Sequence, residues 1–180
     1  MLRNGHTYSS SSVSSQHSRD ALCSRADMTM AGLLERLDQV VAQCSRAQAA
    51  GGGAKMDEIR FQAAKEVLTN EARQLVTASK LLVKSATDSA TGQELPSNLA
   101  SCLQLLHSLA ELAADMTVHT TAPLQTRNLV LKVRDVACVF RETLASILDL
   151  DVQEGILLQR AEGLASVLAT LLRSLRVLSP

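Results

Sequence analysis

The sequence predicts an all-α protein, an up-and-down antiparallel bundle of four or five helices behind a disordered Ser-rich N-terminal leader. Three observations predict it. Apolar residues recur at intervals of three and four through most of residues 27–178, and no stretch alternates strictly enough to ask for a strand. Aromatics make up only 2% of the chain, so burial must come from many Leu, Val and Ala, which suits stacked helices better than a sandwich or barrel. Loops of about 4 to 10 residues separate the periodic stretches, and connections that short make successive helices run in opposite directions.

Residues 1–26 are rich in Ser and lack periodicity, which predicts a disordered leader whose hydroxyls, near Arg19 and Arg25, would suit phosphorylation. The first helix is predicted over 27–49, with Ser24 as cap and Asp27 completing a capping box. Its apolar face, Leu33, Leu34, Leu37, Val40, Val41 and Cys44, lies opposite Glu35, Gln39, Gln43 and Arg46. Three consecutive glycines, 51–53, end it in a flexible loop, and whether this helix joins the core stays open.

The second helix, 57–87, carries one polar stripe: Gln62, Glu66, Asn70, Arg73, Thr77, Lys80 and Lys84. Asp57 and Glu58 open it and Lys80 and Lys84 lie near its end, as the helix dipole favours. A loop with Gly92 and Pro96 leads to the third helix, 97–119, where Leu99, Leu103, Leu106, Leu109, Ala110 and Ala113 oppose Ser97, Ser101, Gln104, Ser108, Glu111 and Asp115. The fourth, 122–148, starts at Pro123, which is at home in a first turn. The fifth, 152–177, is introduced by Asp151 and Glu154 and is apolar around most of its circumference, which predicts burial against several neighbours.

At 180 residues the chain supports one helical domain, 27–178, plus its leader, and a domain of roughly 150 residues buries about two thirds of its unfolded surface. The 18 basic and 18 acidic residues cancel, and no basic stripe is interleaved with aromatics, so nucleic acid is not an expected partner. Cys23, Cys44, Cys102 and Cys138 are far apart and form no CxxC, so neither a zinc site nor a redox pair is expected, and a reducing compartment fits best. The N-terminus has no apolar segment of signal-peptide type, and charges interrupt the later apolar runs, so no transmembrane span is expected and the cytoplasm is the expected location.

Catalysis needs converging ionisable groups, and the chain offers few. His107 and His119 belong to no HExxH or HxH pattern, and no phosphate-binding glycine motif follows a strand. Glu-x-x-His pairs of the kind that hold two metals in bundles are also missing. No enzyme activity, cofactor or metal is expected; the function left is binding.

Residues 61–87, FQAAKEVLTNEARQLVTASKLLVKSAT, fill a helix face with Ala, Thr, Ser and Val between the leucines. In this, and in the scarcity of aromatics, the chain resembles the rod domains of talin and their relatives in the vinculin and α-catenin group. The resemblance covers most of 27–178 in style and about 27 residues in anything like a motif. Talin-type rods contain vinculin-binding helices, and their loose pattern falls on Phe61, Ala64, Lys65, Leu68, Thr69, Ala72, Leu75, Val76 and Ser79, with Lys65 and Ala72 departing from it. It also falls on Leu157, Arg160, Ala161, Leu164, Ala165, Leu168, Leu171, Leu172 and Leu175, with Arg160 and Leu175 as mismatches. Leu99, Cys102, Leu103, Leu106, Ala110 and Ala113 can be threaded similarly, so the pattern largely restates amphipathicity.

The resemblance implies a non-enzymatic protein-interaction module, an adaptor or scaffold in cell adhesion or cytoskeletal signalling, and one domain of a larger scaffold. The partners it implies are a vinculin-like head domain, another cytoskeletal or adhesion protein, or actin, with the cytoskeleton or adhesion sites as location. A face that mixes Leu with small residues loses about 0.8 kcal/mol per buried methylene, and buried hydroxyls such as Thr69 and Thr77 would lean on i−4 carbonyls. Such a helix could be exchanged into a partner's groove. Alternatively, small residues only let long helices approach closely. Two other classes stay open, a regulatory bundle of membrane traffic and an amphipathic bundle that opens on a lipid surface. The oligomeric state is not legible.

Overall fold

The structure, a computed structural model, describes residues 8–50, 57–88, 90, 92–149 and 154–179. Five α-helices account for most of them: α1 Tyr8–Ala49, α2 Glu58–Thr87, α3 Leu95–Val118, α4 Pro123–Leu148 and α5 Glu154–Val177. Each of α2 to α5 packs on the next and α5 returns to α2, which closes a four-helix square. The directions alternate. Asn98 Nδ2 donates to the Leu81 carbonyl at 3.3 Å, across α2 and α3, and Lys65 Nζ donates to the Leu178 carbonyl at 2.7 Å, from early α2 to just beyond the end of α5.

α1 lies outside the square, against α4 and α3. Asp27 faces Arg141 at 3.8 Å and Asp38 faces Arg134 at 2.6 Å, so α1 runs antiparallel to α4. Its stripe of Ala26, Met30, Leu33, Leu37, Val40 and Cys44 is buried in the common core, so the first helix does join it.

The start of α1 differs from the expectation. Residues 8–26, read as disordered leader, continue the helix; residues 1–7 lie outside the described residues. Ser24 and Asp27 are therefore mid-helix and build no capping box. No proline interrupts residues 8–49 and Gly32 is their only glycine, so nothing local stops a helix that tertiary packing has nucleated further on. At 42 residues α1 is about 63 Å long, against about 36 Å for the 24 residues of α5.

Local chemistry explains the other termini. The Asp57 carboxylate accepts the Arg60 N–H at 3.2 Å and caps α2. α3 starts earlier than the loop punctuation suggested: a single 3₁₀ turn, Gly92–Glu94, leads into Leu95, and Pro96 sits in the first turn, where its missing N–H leaves no bond unmade. Before α4, Thr120 Oγ1 accepts the Ala122 N–H at 3.0 Å and turns the chain into Pro123. The glycine run 51–53 and Asp151 lie outside the described residues.

Phe61 and Phe140, both fully buried, anchor a core otherwise made of Leu, Val, Ala and Met with Ile147, Cys44 and Cys102. α4 buries twelve of its 26 residues because it touches α1, α3 and α5. α5 buries only five of 24, and this corrects the expectation that it is surrounded. It packs chiefly on α2 and α4, leaving Ile156 and Leu158 about half exposed and Val177 81% exposed. Among the described residues α5 is also the one helix long and apolar enough to cross a bilayer by length and composition, with a mean hydropathy of 1.3 over 18 residues, a property that core helices of water-soluble bundles share.

Candidate functional site

The sequence singles out α2 and α5, and the fold makes them neighbours. Phe61, Leu68 and Leu75 are fully buried and Val76 partly so. On α5, Leu157, Leu164, Leu168 and Leu171 are buried, with Leu172 packed at the margin. Both leucine seams thus face the core, and a partner could take either only after its helix left the bundle.

The small residues of the two patterns sort by position. Ala64, Ala72 and Ser79 are buried on α2, whereas Lys65, Thr69 and Val76 lie at the edge toward α5. Thr77 is exposed, so it is no buried hydroxyl and cannot soften the core. Thr69 is half-buried and its Oγ1 donates to the Lys65 carbonyl at 2.7 Å, the i−4 bond expected of it. Ser85, fully buried, donates to the Leu82 carbonyl at 2.8 Å. Ser79 differs: its hydroxyl is buried, returns no bond to a carbonyl and has only the weakly bonding Cys102 thiol beside it.

Between residues 76–87 of α2 and 161–168 of α5 the two helices leave a slot of about 280 Å³, with Ser79, Ala161 and Ala165 among its lining residues. Its walls are Val76 and Val83 from α2 and Leu164 and Leu168 from α5, with Lys80, Lys84 and Thr87 along the α2 rim. Sequence reasoning had placed Ser79, Ala161 and Ala165 as small members of two separate patterns and Lys80 and Lys84 on a polar stripe. What it missed was that these sets face each other, because single-helix periodicity carries no information about register between helices.

Outside the slot, little chemistry converges. No group of three or more His, Cys, Asp or Glu suited to a metal occurs among the described residues. His119 caps α3 and lies 3.5 Å from Asp115 Oδ1, while His107 is exposed. The four cysteines are free. Burial pushes the Cys102 thiol up to about 12, with the nearby Ser79 hydroxyl pulling weakly the other way, and burial likewise raises Cys44. Neither thiol is a nucleophile at neutral pH.

Polar ties between helices lie at the surface. Arg36 with Glu111, and Arg134 with Asp38, hold α1 to α3 and α4; Arg160 with Glu142 at 3.1 Å holds α5 to α4. Exposed pairs of this kind contribute about 0 to 1 kcal/mol each, so apolar burial decides which helix is held firmly. No family model and no curated protein matches the chain.

Proposed function

We propose that the chain is a non-enzymatic protein-interaction module of talin-rod type, an adaptor or scaffold of the cytoskeleton or of cell adhesion sites, that binds partners by giving up an amphipathic helix. The observation that carries this reading is the shallow seating of α5: five buried leucines on one seam, contacts mainly to α2 and α4, and apolar side chains already turned to solvent. Separating it exposes less core than separating α4, and a groove that accepts Leu157, Leu164, Leu168 and Leu171 would offset the loss. α2 is the second candidate, held more deeply by Phe61, Leu68, Leu75 and Leu82.

The test uses peptides spanning 154–177 and 57–87, the intact chain, and a vinculin head domain as probe, read by fluorescence polarisation. Tight binding by the α5 peptide and weak binding by the folded chain is the expected result. If neither peptide binds, the vinculin-type partner is wrong. A second reading, docking on a lipid surface, draws on the apolar length of α5 and its exposed Ile156 and Leu158. Flotation of the intact chain with phosphatidylserine liposomes distinguishes it: co-flotation supports the lipid reading and its failure removes it.

A further inference from the structure

Polar contacts tie α5 to its neighbours at both ends, and the two ends are built differently. At its start Arg160 pairs with Glu142 at 3.1 Å, both side chains being about half exposed, and the Arg160 carbonyl accepts a long bond of 3.4 Å from Thr143 Oγ1. Water competes for such contacts, so they hold weakly. At its end Lys65 Nζ, reaching over from α2, donates to the Leu178 carbonyl at 2.7 Å in a part-buried setting. That carbonyl lies one residue past Val177, where the last carbonyls of a helix lack partners within it and the dipole favours a cation. The Leu178 side chain packs on the core as well, so the end of α5 is anchored by main chain and side chain together.

We propose that Lys65 is a latch on α5: its ammonium holds the last turn against α2, and removal of that one charge lets the helix lift from its C-terminal end. The seam between the two helices gives the direction. The slot takes up residues 161–168 of α5, so between it and the helix end only Leu171 and Leu175 are fully seated. The Lys65 bond pins this short stretch at its far edge. A bond from an ammonium to a carbonyl is charge-assisted and stronger than a neutral one, and partial burial shields it from competing water. Control lies with the lysine, because a main-chain carbonyl keeps its lone pairs whereas an acylated lysine loses its charge. The contact holds whatever α5 does once released; its role as a gate on partner binding rests on the helix-exchange reading.

The experiment is native-state hydrogen exchange on the full chain and on Lys65→Met and Lys65→Arg. Met keeps an apolar stem without charge or donors, and Arg keeps both. In Lys65→Met the amides of residues 171–177 should exchange about tenfold faster, because every opening that lifts them breaks the bond; in Lys65→Arg they should stay within about threefold of the parent. Val40→Ala, a core change on α1, is the control: it should hasten residues 129–147, which follow global unfolding, and leave 171–177 unchanged. The vinculin head domain, as probe, should bind the Lys65→Met chain about tenfold more tightly than the parent, since the competent population rises by the same factor. Unchanged exchange of 171–177 in Lys65→Met would overturn the latch and leave the exchange reading standing. Equal acceleration by Met and Arg would overturn it too, because the charge would not be what holds. Faster exchange without tighter binding of the probe would keep the latch and remove release of α5 as the route to that partner.

Discussion

Ser79 and Cys102 face each other across α2 and α3, and each stores a different kind of conditional stability. The Ser79 hydroxyl has left water with only the weakly bonding Cys102 thiol beside it, whereas Thr69, Thr143 and Ser85 all return theirs to carbonyls of their own helices. Ser79→Ala should therefore raise the unfolding free energy by about 1 kcal/mol, measured by chemical denaturation of the chain; a loss of stability would mean that the hydroxyl is satisfied in solution. Cys102 is held protonated by burial. The unfolded thiol ionises near 9.0 and the folded one only near 12, so above pH 9 the unfolded chain binds fewer protons and stability falls as pH rises toward 12. Cys44 is shifted in the same direction and adds to the decline. Stability measured from pH 8 to 11 should fall less steeply in Cys102→Ala than in the parent, and identical slopes would show that Cys102 does not contribute.

At the scale of the element, burial follows the number of neighbours more than the composition of the helix. α5 is rich in Leu on several faces, yet its position at a corner of the square leaves it one seam of five leucines, while α4, less apolar along its length, buries twelve residues between α1, α3 and α5. α1 has the reverse problem, being longer than anything it packs on. Its first buried side chain among those described is Ala26, and Asp27 already stands opposite Arg141 near the end of α4. Removing residues 1–18 should shift the melting temperature by less than about 2 °C, whereas removing 1–34, and with them Ala26, Met30 and Leu33, should lower it by about 10 °C or more. Thermal denaturation of the two truncations checks this, and equal losses would mean that the N-terminal stretch is itself packed. Much was legible in the sequence here. The 3.6-residue period marked α2 to α5, the inward faces of α2 and α3 and the start of α4 at Pro123, because those signals are local. The start of α1 was not, because serines neither demand nor forbid a helix and the decisive contacts are far along the chain. The slot was not legible either, since Ser79 and Ala165 acquire a joint meaning only when two antiparallel helices settle in one register.

Across the whole molecule, the square of α2 to α5 with α1 laid over α3 and α4 distributes protection unequally. The two covered helices, α3 and α4, bury more residues than any other described helix, among them Leu106, Leu109 and Met116 on α3 and Val130, Val133 and Phe140 on α4. α5 sits diagonally across from α3, with the slot loosening its contact with α2 and one exposed ion pair, Arg160 with Glu142, at its start. Local opening follows the weakest burial, so the first cooperative unit to leave should be α5, with α3 and α4 holding until global unfolding. Native-state hydrogen exchange at low denaturant reads this directly. Amides of residues 158–175 should exchange through an opening several kcal/mol below the global unfolding free energy, while those of residues 129–147 track global unfolding. Force or a partner groove would then act on an opening the bundle already samples, and would need only to shift a population. If the α5 amides instead exchanged only with global unfolding, no separable helix would exist, and partners would have to be sought on the folded surface.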